Sequence, residues 1–121
     1  MKFIDQLKEK AKQNKKTIVL PETSDMRTIE AAGKVLAEGI ANIILVGDKE
    51  DIMSRAGDID LSGASFVDPK NYEKFDEYVD AFVEMRRKKG MTEARAKELL
   101  LTNPLYFGCM MVKQDDADGM V

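Results

Sequence analysis

The side chains able to do chemistry among the 121 residues are few and fall in four places. Arg27 follows Glu22-Thr23-Ser24-Asp25 and lies in the first turn of a helical pattern, where free backbone N–H groups and the helix dipole attract anions. A cation there opposes the dipole unless something negative compensates, so its placement predicts either a bound phosphate or a pair with Glu22 or Asp25. Arg86-Arg87-Lys88-Lys89 closes another helical pattern, where cations cap free carbonyls. Stabilisation of a helix end accounts for such a run, and a phosphate site is the sharper alternative. Cys109 lies in an apolar stretch, which predicts an inert core thiol. Asp115, Asp116 and Asp118 before Gly119 superficially suggest a calcium loop. The first ligand position holds Gln114, however, and the twelfth lies past Val121, so a solvated turn without metal is expected.

Composition narrows these options. Histidine is absent, which excludes Ser-His and Cys-His catalysis and every His-containing zinc site within these residues. The single cysteine permits no internal disulfide and fits a reducing compartment. A net charge of −3, with acids and bases interspersed, gives no general attraction to nucleic acid or anionic membrane, so any anion site must be local. Neither G-x-G-x-x-G nor a Walker A loop occurs, which leaves an autonomous nucleotide-binding enzyme unsupported. Charged residues at Lys2, Asp5, Lys8 and Glu9 leave no apolar signal segment, and no run approaches a membrane span, so a cytoplasmic protein is expected.

The elements that must position the arginines alternate. Lys2 to Asn14 places Phe3, Ile4, Leu7 and Ala11 on one face and predicts an amphipathic docking helix. Thr17-Ile18-Val19-Leu20, closed by Pro21, predicts a strand buried on both faces. From Met26, Ile29, Ala32, Val35 and Leu36 recur with helical spacing until Gly39. Asn42 to Val46 is a second buried strand, followed by a short helix capped by Asp48, with Asp51 three positions on in a capping-box-like arrangement and Ile52 facing inward. Two such units with short loops imply parallel strands joined by right-handed crossovers. Ser65-Phe66-Val67 is a third strand candidate. Asp68-Pro69 then opens what reads as the longest helix, to Lys89, with an apolar ridge of Tyr72, Phe75, Val79, Phe82, Val83 and Met85, ended by Gly90. Glu93 to Leu101 is a short helix; Asn103-Pro104 caps another through Val112 that is too apolar all round for a surface helix. Ala117 to Val121 reads as a strand entered from an acidic turn, and stopping within it predicts the front portion of a longer protein.

Taken in order, several segments resemble the N-terminal part of the phosphate acetyltransferases of the phosphate acetyl/butyryltransferase family. They are Val19-Leu20-Pro21-Glu22 with Asp25-Met26-Arg27-Thr28, Glu38-Gly39-Ile40-Ala41, Leu45-Val46-Gly47, Val67-Asp68-Pro69, Met85-Arg86 with Lys89-Gly90-Met91-Thr92, Tyr106-Phe107 with Met110-Met111, and Ala117 through Val121. The resemblance covers essentially the whole chain. It implies an α/β fold of three layers, α/β/α, with a mainly parallel sheet like that of the isocitrate and isopropylmalate dehydrogenases, residues 1–121 being the N-terminal part of such a domain. It also implies a cytoplasmic homodimer that moves an acetyl group between coenzyme A and inorganic phosphate, with acetyl-CoA and acetyl phosphate as the acylated partners. Coenzyme A enters as a substrate, and no cofactor, metal, nucleic acid or membrane is involved. The family's aspartate base, arginine and serine belong to the C-terminal half, so no catalytic residue falls in this chain. Arg27 and Arg86 resemble arginines that bind coenzyme A through its phosphates. Gln114-Asp115, where the family more often has a small Gly-containing turn, is a local departure. The main alternative is a non-catalytic coenzyme A- or phosphate-binding α/β domain. A receiver-like signalling module would need an acidic pair after the first strand, where only Glu22 stands.

Overall fold

The computed structural model describes residues 2–121. Its elements follow the order α1 (Phe3–Gln13), β1 (Thr17–Leu20), α2 (Met26–Glu38), β2 (Asn42–Val46), α3 (Lys49–Ala56), β3 (Ser65–Val67), α4 (Phe75–Met85), α5 (Glu93–Thr102), α6 (Pro104–Lys113) and β4 (Gly119–Met120). The four strands form a single sheet in the order β3-β2-β1-β4, and every pairing is parallel. In β1 and β2, successive side chains point to opposite faces, and apolar β-branched residues suit both because both faces are covered. Leu20, Ile43 and Leu45 meet Ile29 and Ala32 of α2 and Ile52 and Ala56 of α3. Val19, Ile44 and Val46 meet Tyr78, Val79 and Phe82 of α4, Ala96 and Leu100 of α5, and Phe107, Met110 and Met111 of α6. The result is the α/β/α sandwich that the strand–helix alternation implies. Each fully buried Val, Leu, Ile, Phe or Met side chain among them contributes roughly 1.5–3 kcal/mol relative to exposure.

Local chemistry accounts for most of the boundaries. Asp25 caps α2 by accepting from Arg27 N–H, and Gly39 ends it in the left-handed region at φ 68° with its N–H donating to Val35 and Leu36 carbonyls. Thr92 caps α5 and Asn103 caps α6, with Pro104 at the first helical position.

Five expectations are corrected. The helix expected from Pro69 to Lys89 is broken: Asp68 and Pro69 start a 3-10 turn over Pro69–Asn71, Tyr72 is extended at φ −92°, ψ 124°, and α4 begins only at Phe75. A further 3-10 turn over Arg87–Lys89 follows, so the longest helix is α2. The break turns the Tyr72 phenol towards Tyr78 and Asp116, and Met85, placed in the core ridge from sequence, is 53% exposed. The capping box at Asp48 does not form, because Asp48 accepts from Glu50 N–H while Asp51 pairs with Arg55 at 3.1 Å. Cys109 is exposed, since α6 faces solvent at Leu105 and Cys109 while burying Phe107, Gly108, Met110 and Met111. The apolar face of α1 is not docked: Phe3, Ile4 and Leu7 are 74%, 58% and 49% exposed, and the helix is held through the Lys8–Glu38 ion pair at 2.7 Å. Finally, the acidic segment is not a free solvated turn, because Asp116 and Asp118 are both engaged by other elements.

Candidate functional site

In a parallel sheet all carboxyl ends lie at one edge, and the strand order decides where that edge opens. The chain moves outward from β1 to β2 to β3, then returns past β1 to lay β4 on its other side. Connections that leave neighbouring strands on opposite faces diverge, so the carboxyl ends of β1 and β4 flank a crevice. An open crevice of about 390 Å³ lies there, lined by Leu20, Glu22, Asp25, Arg27, Thr28, Ala31 and Val121. A second hollow of about 260 Å³ runs along the same edge over the ends of β1, β2 and β3, with Thr23, Ser24, Gly47, Asp48, Asp68, Lys70 and Pro104 in its walls.

Arg27 reaches the first crevice because β1 ends there at Leu20 and α2 starts close by, at Met26. Its side chain is 88% exposed and paired: Nη2 lies 2.8 Å from Asp25 Oδ2 and Nε 3.2 Å from both carboxylate oxygens. Asp25 also accepts from Arg27 N–H at 2.9 Å, so one carboxylate serves as helix cap and as counter-ion. Hydrogen bonds from the Arg27 side chain and backbone hold the Asp25 carboxyl below the usual carboxylate range. Of the two acids proposed from sequence, Asp25 is thus the partner. The pair leaves the outer face of the guanidinium open to solvent at a helix N-terminus, a setting that suits a phosphate oxygen.

Arg86 sits on the opposite layer. It ends α4, and its guanidinium lies over the Phe82 ring, 5.8 Å from the centroid. Phe82 in turn packs edge-on against Tyr106 of α6 at 5.6 Å. Tyr106 belongs to the first turn of α6, whose Pro104 lines the carboxyl-edge hollow. At its other end, α4 places Tyr78 against Asp116, which precedes β4 and so marks the amino edge of the sheet. These contacts put the end of α4, and Arg86 with it, beside the first turn of α6, but Arg86 lines neither of the two hollows at the carboxyl edge, so the structure does not bring it together with Arg27. Its neighbour Arg87 pairs with Glu84, whereas Arg86 has no ion pair among the described residues.

Residues that sequence reasoning passed over hold the crevice in shape. Thr23 is buried and donates its hydroxyl to the Val46 carbonyl at 2.6 Å, tying the β1–α2 turn to the end of β2. Arg55 of α3 donates to the Thr23 carbonyl at 2.7 Å while paired with Asp51. Neither position belongs to a motif that the chain sequence displays, although a threonine just beyond a buried strand is a recurrent turn-fixing type. No group of three or more His, Cys, Asp or Glu side chains placed to hold a metal ion occurs among the described residues. No helix among them is long and apolar enough to cross a membrane.

Comparison with known proteins matches residues 2–121 to the profile of a family described as phosphate acetyl/butaryl transferase. The chain is 48% identical over 121 residues to a phosphate acetyltransferase of Acetivibrio thermocellus and 50% identical to one of Thermoanaerobacterium thermosaccharolyticum, covering 36% and 37% of those proteins. Among solved structures it superposes on the EutD phosphotransacetylase from Staphylococcus aureus with a TM-score of 0.83 at 38% identity, covering 97% of this chain and 36% of that one. The chain therefore spans a little over a third of the length of these three relatives.

Proposed function

The chain belongs to the phosphate acetyl/butyryl transferase family, and on that premise we propose that it supplies one wall of an acyltransferase site. The reaction is acetyl-CoA + phosphate = CoA + acetyl phosphate. Residues 1–121 then form the N-terminal part of an α/β domain, with the catalytic groups and the facing wall contributed by sequence of the kind that makes up the rest of the longer relatives. Coenzyme A is a substrate in this scheme, and no resident cofactor is invoked. The family resemblance extends the proposal to a homodimer in the cytoplasm.

The observation that carries this reading is the placement of Arg27 in the switch-point crevice, on a chain matched to the family over residues 2–121. Coenzyme A presents phosphates to the protein, and an arginine binds a phosphate oxygen pair through its planar fork better than a point charge does. Arg27 offers that fork beside the free N–H groups of α2, and Arg86 offers a second from the opposite helical layer. Arg27 is largely exposed, and Arg86 lies over the core residue Phe82 with no ion pair of its own among the described residues, so both guanidinium groups keep donors for a ligand. An isolated wall is expected to do no chemistry, because holding the thiol and the acyl phosphate together is worth ~7–11 kcal/mol and needs both walls.

The test grafts this chain onto the 50%-identical Thermoanaerobacterium enzyme in place of its matching segment and assays CoA-dependent acetyl phosphate formation. Arg27→Ala and Arg86→Ala in the graft should each raise the KM for coenzyme A by on the order of tenfold, as for loss of a charge-assisted contact, with an unchanged melting temperature. Variants that lose melting temperature yet keep coenzyme A affinity would assign the arginines to structure instead. A graft that binds coenzyme A but forms no acetyl phosphate would favour the non-catalytic binding domain.

A further inference from the structure

A part-buried polar cluster lies away from the arginines and has no part in the reaction described. The Asp116 side chain, 17% exposed, stands on the connection between α6 and β4. Its Oδ1 receives Lys74 Nζ at 2.7 Å, and its Oδ2 receives the Tyr78 hydroxyl at 2.5 Å and, at the limit of a hydrogen bond, the Tyr72 hydroxyl at 3.5 Å. The two phenol oxygens lie 3.1 Å apart, and Tyr78 is fully buried. One carboxylate thereby ties the break before α4 and α4 itself to the entry of β4. Within this sequence the strand it leads into, Gly119–Met120, pairs with Ile18 and Val19 of β1. Beyond that pairing, β4 is held by Asp118 N–H to the Thr17 carbonyl at 2.7 Å, Thr17 N–H to Asp118 Oδ2 at 2.7 Å, and Val121 N–H to the Val19 carbonyl at 3.2 Å. The Asp116 carboxylate adds a side-chain tie to these backbone bonds at the point where the chain enters the strand. The residue that follows it, Val121, lines the crevice beside Arg27.

We propose that Asp116, acting through Lys74 and Tyr78, is a positioning residue that seats β4 against β1 and so sets the Val121 side of the switch-point crevice. The placement of β4 stands on the geometry above; its relevance to substrate binding rests on the function proposed for the crevice.

The groups facing Asp116 are Lys74, Tyr72 and Tyr78, and Glu77 acts only on Lys74. Burial raises the Asp116 carboxyl, but the Lys74 ammonium and the tyrosine hydroxyls outweigh it and leave the group below the usual carboxylate range. Hydrogen bonding to Asp116 raises Lys74, while burial and the Asp116 hydrogen bond raise Tyr78. A lowered acid stabilises above its unfolded value, near 4, and loses that contribution as pH falls through the folded value. The raised lysine and phenol stabilise below their unfolded values, near 10, and lose that contribution as pH rises through the folded ones. The latch is therefore complete between about pH 4 and pH 10.

The experiment is amide exchange at pH 7 on the chain itself, with Asp116→Asn and the milder Lys74→Met, followed by an NMR titration of the Met120 methyl and Val121 amide from pH 7 to pH 2. In both variants Asp118 and Val121 amides should exchange at least tenfold faster, while Ile44 and Leu45 amides of β2 keep their protection. The wild-type Met120 and Val121 signals should shift as Asp116 protonates, and Asp116→Asn should lack that step; Asp118→Asn, as control, should keep it. Equal loss at β2 and β4 in both variants would make the cluster a general stabiliser and overturn the assignment, as would unchanged exchange at β4. Kept β4 exchange effects with no change in graft KM would defeat the functional reading of the crevice and leave the positioning of β4 standing.

Discussion

The pairing of Arg27 with Asp25 bears directly on how an anion would bind. A phosphate arriving at the crevice meets a guanidinium already occupied on one side and a carboxylate that repels it, so Asp25 both orients the fork and competes with the ligand. Asp25→Ser separates the two effects, because serine still caps α2 through its hydroxyl. We expect Asp25→Ser to tighten coenzyme A binding to the graft, by up to about fivefold, the ceiling for releasing an exposed ion pair. Unchanged or weaker binding, measured by calorimetry, would show that orientation of Arg27 outweighs competition. Sequence made Arg27 legible through its place behind a strand and a run of cap residues. It left the choice between Glu22 and Asp25 open, because both lie within reach along the chain. From residue types alone Arg86 was one of four adjacent cations, singled out by the family resemblance; in the structure its separation from Arg87 comes from the Phe82 ring and the Glu84 ion pair.

At the scale of elements, close approaches between layers decide more than propensities do. Gly33 lies within α2, where glycine costs roughly 1 kcal/mol relative to alanine. A Cβ there would stand 2.6 Å from Ile59 Cγ2, on the loop that leads from α3 to β3. That methyl branches directly from the Ile59 Cβ and cannot swing aside alone. Gly33→Ala should therefore lose ~1–2 kcal/mol in urea denaturation, the overpacking cost exceeding the helix gain. A stabilised variant would mean that the loop yields freely. The same competition explains the misjudged helix from Pro69 to Lys89: capping and periodicity allow it, but hydrogen bonds from Tyr72, Lys74 and Tyr78 to Asp116, 38 to 44 residues away, impose the extended step at Tyr72. No local pattern carries information about a partner that distant.

For the whole molecule, the unfinished business is the apolar face of α1. Phe3, Ile4 and Leu7 project into solvent, so replacing all three by serine should leave the melting temperature of the 121-residue chain nearly unchanged, since exposed substitutions fall within about ±0.5 kcal/mol. A large fall in melting temperature would show that these residues pack in solution. Expected too is no acetyl phosphate formation by the chain alone above background; turnover would require a catalytic group among Glu22, Cys109 and the Asp115 to Asp118 segment. Sequence by itself determined the four strands, the caps of α2 and α6 and the sheet's parallel character, because buried runs, cap residues and helical spacing are written in neighbouring positions. Tertiary structure alone decided the strand order that opens the crevice between β1 and β4, the exposure of Cys109, the break at Tyr72 and the bond of buried Tyr78 to Asp116. Each of these depends on which distant surfaces compete for the same space, and that competition is settled only when the layers close on the sheet.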